Sequence, residues 1–365
     1  MKLSQLTDYL ESLAPLAYQE DYDNCGLIVG NGSQEIYQAL ISLDCTEGVV
    51  DEAIANNCQV IVSHHPIVFK GLKKFNSKTY VERVVEKAIK NNIAIYAIHT
   101  NLDNIHTGVN AKMCEVLGLK NTRVLAPKSH LLKKLVTYVP VMQAEQVRNA
   151  LFHAGAGNIG NYSEASFNAH GQGTFKANEH ADPYVGEPGM RHTEDEVRIE
   201  VIYPANLESK LLMALVLAHP YEEVAYDLYN ITNPNQQVGS GMIGELDYAA
   251  DEESFLGFIK EKMHLHVIRH TAFTGKPIKK VAVCGGAGGF LLKQAIGAGA
   301  DIFITADYKY HEFFDAEGKL LIADIGHFES EQFTQQLLYE IIRNKFATFA
   351  IRLTEINTNP VKYYI

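Results

Sequence analysis

Apolar positions along the first hundred residues alternate between two periods. Leu3, Leu6, Leu10 and Leu13 recur at helical spacing, with Ser4 as the predicted cap and Pro15 as a stop. Ala39-Leu40-Ile41-Ser42-Leu43 then reads as a strand ending at Asp44, and Thr46 caps a helix carrying Val49, Val50, Ala53 and Ile54. The β-branched run Val60-Ile61-Val62 predicts a buried strand that delivers His64 and His65, and Pro66 stops its ladder. A helix over 79–91 places Val81, Val84, Val85 and Ala88 on one face, and the strand 93–98 leads to His99 and Asp103. Strands alternating with helices of this length imply parallel βαβ units with right-handed crossovers. Asp44, His64, His65, His99 and Asp103 then all follow the carboxyl ends of strands, the edge where open α/β sheets bind ligands.

From about Leu131 the pattern changes. A strand over 134–140 and a helix over 144–152 precede a stretch rich in glycine, asparagine and histidine (155–191), after which come a strand over 196–203 and a helix over 206–218. A strand–helix–strand–strand–helix–strand order over about a hundred residues predicts a small ferredoxin-like α+β domain inserted in a larger one. The host pattern resumes with a strand at 242–246 and a helix over 251–263. A strand at 281–284 opens into Gly285-Gly286-Ala287-Gly288-Gly289, and a strand over 301–305 ends at Asp307. A last strand over 320–325 ends at Gly326-His327, where a helix running to about 344 begins. The predicted class is α/β: a two-part host domain with a mainly parallel sheet, residues 1–128 and 233–365, interrupted by the α+β insert at 129–232.

Composition narrows the function classes. In 365 residues, 47% hydrophobic and 21% charged, the net charge of −11 disfavours nucleic acid as a partner held by bulk positive charge. No secretory apolar core and no run long enough to span a bilayer occur, which predicts a cytoplasmic protein without a membrane partner. Five scattered cysteines without a C-x-x-C pair fit reduced, mostly buried thiols and exclude a cysteine-based zinc ribbon. Any metal must therefore use histidine and carboxylate.

Successive side chains of a regular strand point to opposite faces, so His64 and His65 serve one site only where the backbone leaves the sheet. The end of a strand before proline is such a place, although loop carbonyls satisfy such a pair equally well. His327 and Glu331, four apart at a helix N-terminus, share a face and make either a half-site for a divalent ion or a plain capping face. Together with His64, His65 and Asp103 they supply the imidazoles and carboxylates of a two-metal centre. His99, Asp44, Asp307 and His311 are candidates for orienting ligands or moving protons in catalysis. A mixed nitrogen and oxygen set suits zinc, iron, manganese or cobalt alike. The glycine run 285–289 reads more as a tight strand-to-helix turn than as an anion cradle, since it lacks the P-loop lysine. His264, His266 and His270 alternate along a predicted strand with no carboxylate spaced to join them. His219 with Glu222 and Glu223 is either a ligand group or a structural turn.

Ser63-His64-His65-Pro66, His99-Thr100-Asn101-Leu102-Asp103, Ile304-Thr305-Ala306-Asp307 and Gly326-His327 with Glu331 resemble the motifs of the Nif-three-like dinuclear-metal proteins, also called GTP cyclohydrolase type 2 homologues. The resemblance implies two divalent ions held by His64, His65, Asp103, His327 and Glu331. It also implies hydrolase chemistry on a small molecule, with opening of the guanine ring of GTP and the triphosphate against the glycine loop as the named activity. The competing class is a non-enzymatic metal-storage, metal-delivery or regulatory protein whose insert senses an effector. Ala306 departs from the glycine common there, which predicts reduced local backbone freedom. In the insert, Gly155-Ala156-Gly157-Asn158-Ile159-Gly160, Gly171-Gln172-Gly173-Thr174-Phe175 and His219-Pro220-Tyr221-Glu222-Glu223 resemble the PII-like or CutA-like domain of the longer members. That resemblance implies a lid over the host and a homohexamer.

Overall fold

A computed structural model describes residues 1–364. They form two compact units, one made of Met1–Pro127 with the chain from Gln237 onward, the other of Lys128–Gln236.

The first unit holds two sheets. In one, the strands Ala94–Ala97, Val60–Ser63, Gln38–Ser42 and Ala350–Leu353 run parallel in that order, with Gly26–Val29 added antiparallel at one edge. Its helices Glu47–Ala55 and Tyr80–Lys90 bury Val49, Val50, Ala53, Val84, Val85 and Ala88 against Leu40, Ile61 and Ile95. These helices cover one face, and the helix Thr334–Lys345 packs against the strand Gln38–Ser42 as well; Val60–Ser63 is buried at every position, as a strand covered on both faces is. Thr46 caps its helix as its position predicts, accepting from Val49 N–H at 3.3 Å. Ser4 does not cap: the first helix is Leu3–Leu13, and the Gln5 side chain accepts from the Lys2 N–H at 2.9 Å.

The second sheet is less parallel than the pattern predicts. Leu321–Asp324, Ile302–Ala306 and Ile278–Ala287 are parallel neighbours, but Arg269–His270 and the long strand Asn235–Ala250 flank them antiparallel, with Lys120–Lys128 beyond. Both faces of the parallel centre are covered. Phe255, Ile259 and Met263 pack on Val281, Ile302 and Ile304 on one side, and Leu291, Leu292 and Ala295 on Ala282, Phe303 and Ile322 on the other. The predicted continuous helix after Gly326 is broken into His327–Glu331 and Thr334–Lys345.

In Lys128–Gln236 the sheet order is Phe167–Lys176, Arg191–Pro204, Leu132–Pro140, Tyr226–Ile231, with every neighbour antiparallel. The helices Ala144–Ala154 and Glu208–Ala218 cover one face through Val147, Leu151, Leu211 and Leu215. Each helix thus links two strands that enclose a third, the split β-α-β arrangement of a ferredoxin-like unit. No helix among the described residues is long and apolar enough to cross a membrane.

A close backbone approach fixes the turn that follows Asp103. A β-carbon at Gly108 would sit 1.7 Å from the Leu102 carbonyl oxygen. Gly108→Ala is therefore expected to cost about 1–3 kcal/mol, because the obstacle is backbone and not a flexible side-chain end. A lowered urea midpoint at unchanged slope checks this; an unchanged midpoint would contradict it.

Candidate metal centre

The strand Val60–Ser63 ends, but its ladder does not. His64 N–H donates to the Ser42 carbonyl at 3.2 Å and His65 N–H to the Leu43 carbonyl at 2.9 Å, while Ser63 Oγ donates to the His65 carbonyl at 2.9 Å. Two adjacent histidines are thereby held rigidly just as the chain leaves the sheet. Their rings turn toward one another, with centroids 5.0 Å apart.

Each imidazole near this point is oriented through Nδ1. His64 Nδ1 lies 2.8 Å from the Ile98 carbonyl, His65 Nδ1 2.8 Å from Asp44 Oδ1, His99 Nδ1 2.9 Å from Asp23 Oδ1 and His327 Nδ1 2.7 Å from Asp307 Oδ2. All four partners are oxygens that only accept, so Nδ1 carries the hydrogen. In the neutral ring Nε2 is then left with its lone pair. An imidazole tied to carboxylate or carbonyl through one nitrogen is the usual form of a histidine that offers the other to a metal.

The free nitrogens meet carboxylate oxygens at Glu331, whose side chain is only 3% exposed. Glu331 Oε2 is 3.0 Å from His65 Nε2 and 3.2 Å from His327 Nε2, and the two nitrogens are 3.4 Å apart. Ligands of a tetrahedral ion with bonds of about 2.0–2.1 Å lie ~3.3 Å from each other, so this triangle has the dimensions of one face of such a site. On the other side Glu331 Oε1 is 3.9 Å from His64 Nε2, which is 3.6 Å from Asp103 Oδ1. Ligand atoms of His65, His327 and Glu331 form one candidate group, those of His64, Asp103 and Glu331 a second, and those of His64, His65 and His99 a third. Glu331 belongs to two of them, with a different oxygen facing each pair.

Buried polar atoms provide a direct test of fit. His64 Nε2, Asp103 Oδ1 and Glu331 Oε2 are all inaccessible and all lack a hydrogen-bond partner of acceptable geometry. Leaving three such atoms bare is costly, and a cation among them would satisfy all three. The charge balance points the same way. Burial holds the His64 imidazole down to about 4, so it is neutral and a competent ligand. Burial, reinforced by the charge of Glu331, pushes the Asp103 carboxyl well above its usual range. His65 and His327 lose solvation too, but Asp44 and Glu331 around the first, and Glu331 and Asp307 around the second, outweigh that loss and raise them to about 10 and about 9. Burial opposes the charge of Glu331 as well, and the three surrounding imidazoles outweigh it, holding the carboxyl well below the usual range.

Other predicted residues fall into distinct positions. Asp44 anchors His65 and accepts from Thr358 Oγ1 at 2.6 Å, and Asp307 anchors His327. His311, by contrast, is exposed, packs against Tyr310 and Phe314, and is not among the residues that converge on Glu331, because its short 3₁₀ segment Tyr310–Ala316 turns it outward. The glycine run is the irregular end of the strand Ile278–Ala287 and the turn that follows it. Gly285 N–H donates to Asn110 Oδ1, Gly286 N–H to Ser330 Oγ and Gly288 N–H to Thr305 Oγ1, each at 2.9 Å, so these three donors are committed within the protein. The run's role is space: a β-carbon on Gly286 would lie 2.5 Å from Glu331 Oε1. Ala306 costs nothing, since it is an ordinary strand residue and the left-handed conformation falls on Asp307, with φ of 57°. His264 and His266 are not on a strand. They line a 430 Å³ cavity whose walls also include Glu329 and Asn359, and Glu329 Oε1 there accepts from Asn359 Nδ2 at 3.0 Å.

Sequence reasoning missed Asp23. It lies in a turn 76 residues before His99 and also accepts from the Thr100 N–H and hydroxyl, so only the fold brings it to the site. These bonds, with that to Cys25, overcome burial and hold its carboxyl far below the usual range.

Comparison with known proteins places the chain in a family. The profile of Duf34/NIF3 (NGG1p interacting factor 3) matches residues 1–360. The chain is 38% identical over 365 residues to the GTP cyclohydrolase 1 type 2 homolog of Bacillus subtilis (strain 168), covering 98% of each, and 35% identical to that of Staphylococcus epidermidis (strain ATCC 12228 / FDA PCI 1200), covering 100% of each. Among solved structures, a Bacillus cereus protein related to NIF3 superposes with a TM-score of 0.86 at 39% identity, covering 100% of this chain and 99% of that one. Staphylococcus aureus protein SA1388 gives 0.79 at 29% identity, with the same coverage. The chain belongs to the Duf34/NIF3 family.

Proposed function

We propose that this protein is a dinuclear divalent-metal hydrolase acting on a small molecule. The observation that carries the reading is the position of Glu331, buried between two pairs of ligand atoms with one oxygen toward each. His65 and His327 would hold one ion, His64 and Asp103 the other, and Glu331 would bridge. Bound ions in such a centre act as Lewis acids and lower the pKa of water, which is the chemistry hydrolysis needs at neutral pH. His99 would hold or pass a proton at Nε2, because Asp23 fixes its other nitrogen and the ring centroid lies 5.1 Å from those of both His64 and His65. Asp44 and Asp307 would act by orienting His65 and His327.

For the substrate we propose a nucleotide, with opening of the purine ring of GTP as the reaction. The support is the name carried by the curated relatives, GTP cyclohydrolase 1 type 2 homolog, and no residue of the chain selects guanine by itself. The committed N–H groups of Gly285, Gly286 and Gly288 weigh against the glycine loop as the holder of a triphosphate. The reading extends to Lys128–Gln236 as a PII-like or CutA-like domain, supported by its strand order, and to a homohexameric assembly.

Elemental analysis tests the metal assignment. Glu331→Ala is expected to lose both ions and His65→Ala at least one; full occupancy in both variants would discard it. Metal uptake should also release protons. In the metal-free protein His65 and His327, at about 10 and about 9, carry protons at pH 7 that a ligating imidazole must give up. Affinity is therefore expected to rise with pH through the neutral range, and calorimetry in buffers of different ionisation heat should report at least two protons per subunit. No proton release would contradict the two imidazoles as ligands. Incubation of fully metal-loaded protein with GTP should yield formate or a ring-opened product. No turnover with zinc, iron, manganese or cobalt would discard ring opening and favour metal storage, delivery or regulation.

A further inference from the structure

The unit Lys128–Gln236 contains a cavity of 710 Å³ that the metal centre does not use. Its volume is that of a small-molecule site, which ordinarily pairs apolar walls with a few placed polar groups. Strand alternation explains where it lies. Val197, Ile199 and Val201 face the two helices, so Glu196 and Arg198 on the same strand face the opposite side and line the cavity. Phe175, Tyr184 and Tyr221 supply aromatic surface, with the Tyr221 ring centroid 6.1 Å from that of Phe175 and 6.3 Å from that of Tyr184.

Glu196 is the unusual member. It is 9% exposed, it accepts a hydrogen bond from the Tyr221 hydroxyl at 2.9 Å, and among the described residues no lysine, arginine or histidine forms an ion pair with it. The cations that also line the cavity are Arg198, which pairs with Glu200 at 2.9 Å, and the exposed Lys176. Glu222 and Glu223 add further negative charge to the lining. Space has been kept for the carboxylate: a β-carbon on Gly173 would lie 2.2 Å from Glu196 Oε2, and on Gly171 it would meet nothing within 4 Å. A mostly buried carboxylate with one hydroxyl on it and no paired cation keeps capacity for a cationic donor, and the aromatic faces beside it favour the same class.

We propose that this cavity binds a small planar organic cation, with an amidinium or guanidinium group on Glu196 and a flat body against Tyr221, Phe175 and Tyr184. Two parallel N–H···O bonds to a carboxylate suit that class better than a lone ammonium. The proposal does not depend on turnover or on occupancy of the metal centre.

Benzamidine is the probe, with benzoate as the control of the same shape and opposite charge, titrated into the full-length protein and followed by ligand-observed saturation-transfer NMR and calorimetry. Benzamidine is expected to bind and benzoate not to. Glu196→Gln should weaken benzamidine about tenfold or more, the loss of one charge-assisted pair. Phe175→Leu should weaken it several-fold while keeping an apolar wall, which reads the aromatic contribution if the first variant folds poorly. Metal content and the circular dichroism melt of both variants separate loss of the site from loss of the fold. Equal binding of benzoate, equal affinity in folded Glu196→Gln, or no benzamidine binding at all would overturn the proposal.

Discussion

A carboxylate buried between imidazoles governs the first unit of this protein. Glu331 keeps its charge in a place where burial alone would neutralise it, because three histidine nitrogens surround its two oxygens. Those nitrogens are there because every ring is held from behind, His64 by a backbone carbonyl and His65 and His327 by aspartates. The anchors depend in turn on the two sheets. Asp44, His64 and His65 follow parallel strands of one sheet, and Asp307 and His327 follow parallel strands of the other. The carboxyl-end rule for α/β sheets is thus met twice at a single centre.

The close quarters around Glu331 explain features that otherwise look incidental. Gly286 leaves room for Glu331 Oε1, and the N–H groups of Gly285, Gly286 and Gly288 are bound by Asn110, Ser330 and Thr305. A glycine-rich run after a strand suggests anion binding by analogy with phosphate loops. Here the backbone donors are spent on holding the turn in place, and what the glycines contribute is the absence of side chains.

Much of this was legible because it is local. The β-branched run before Pro66 announced a strand end, and the four-residue spacing of His327 and Glu331 announced a shared helix face. What was hidden depends on pairing or on distance along the chain. Phe167–Lys176 shows little apolar alternation, because it is an edge strand held by its ladder to Arg191–Pro204 and mostly exposed. Ala350–Leu353 is likewise a short edge strand. Asp23 sits in a turn with nothing to mark it until the fold brings His99 against it. The break between Glu331 and Thr334 leaves no trace in the apolar spacing, and the turn that takes His264 and His266 off a strand leaves none either.

The central claim is that one carboxylate joins two ions. Electron paramagnetic resonance of protein loaded with two manganese(II) ions per subunit tests it most directly, since ions sharing a bridge couple magnetically. The account predicts an exchange-coupled spectrum in the native chain that collapses on Glu331→Gln. A spectrum of isolated manganese(II) at full loading of the native protein would contradict it.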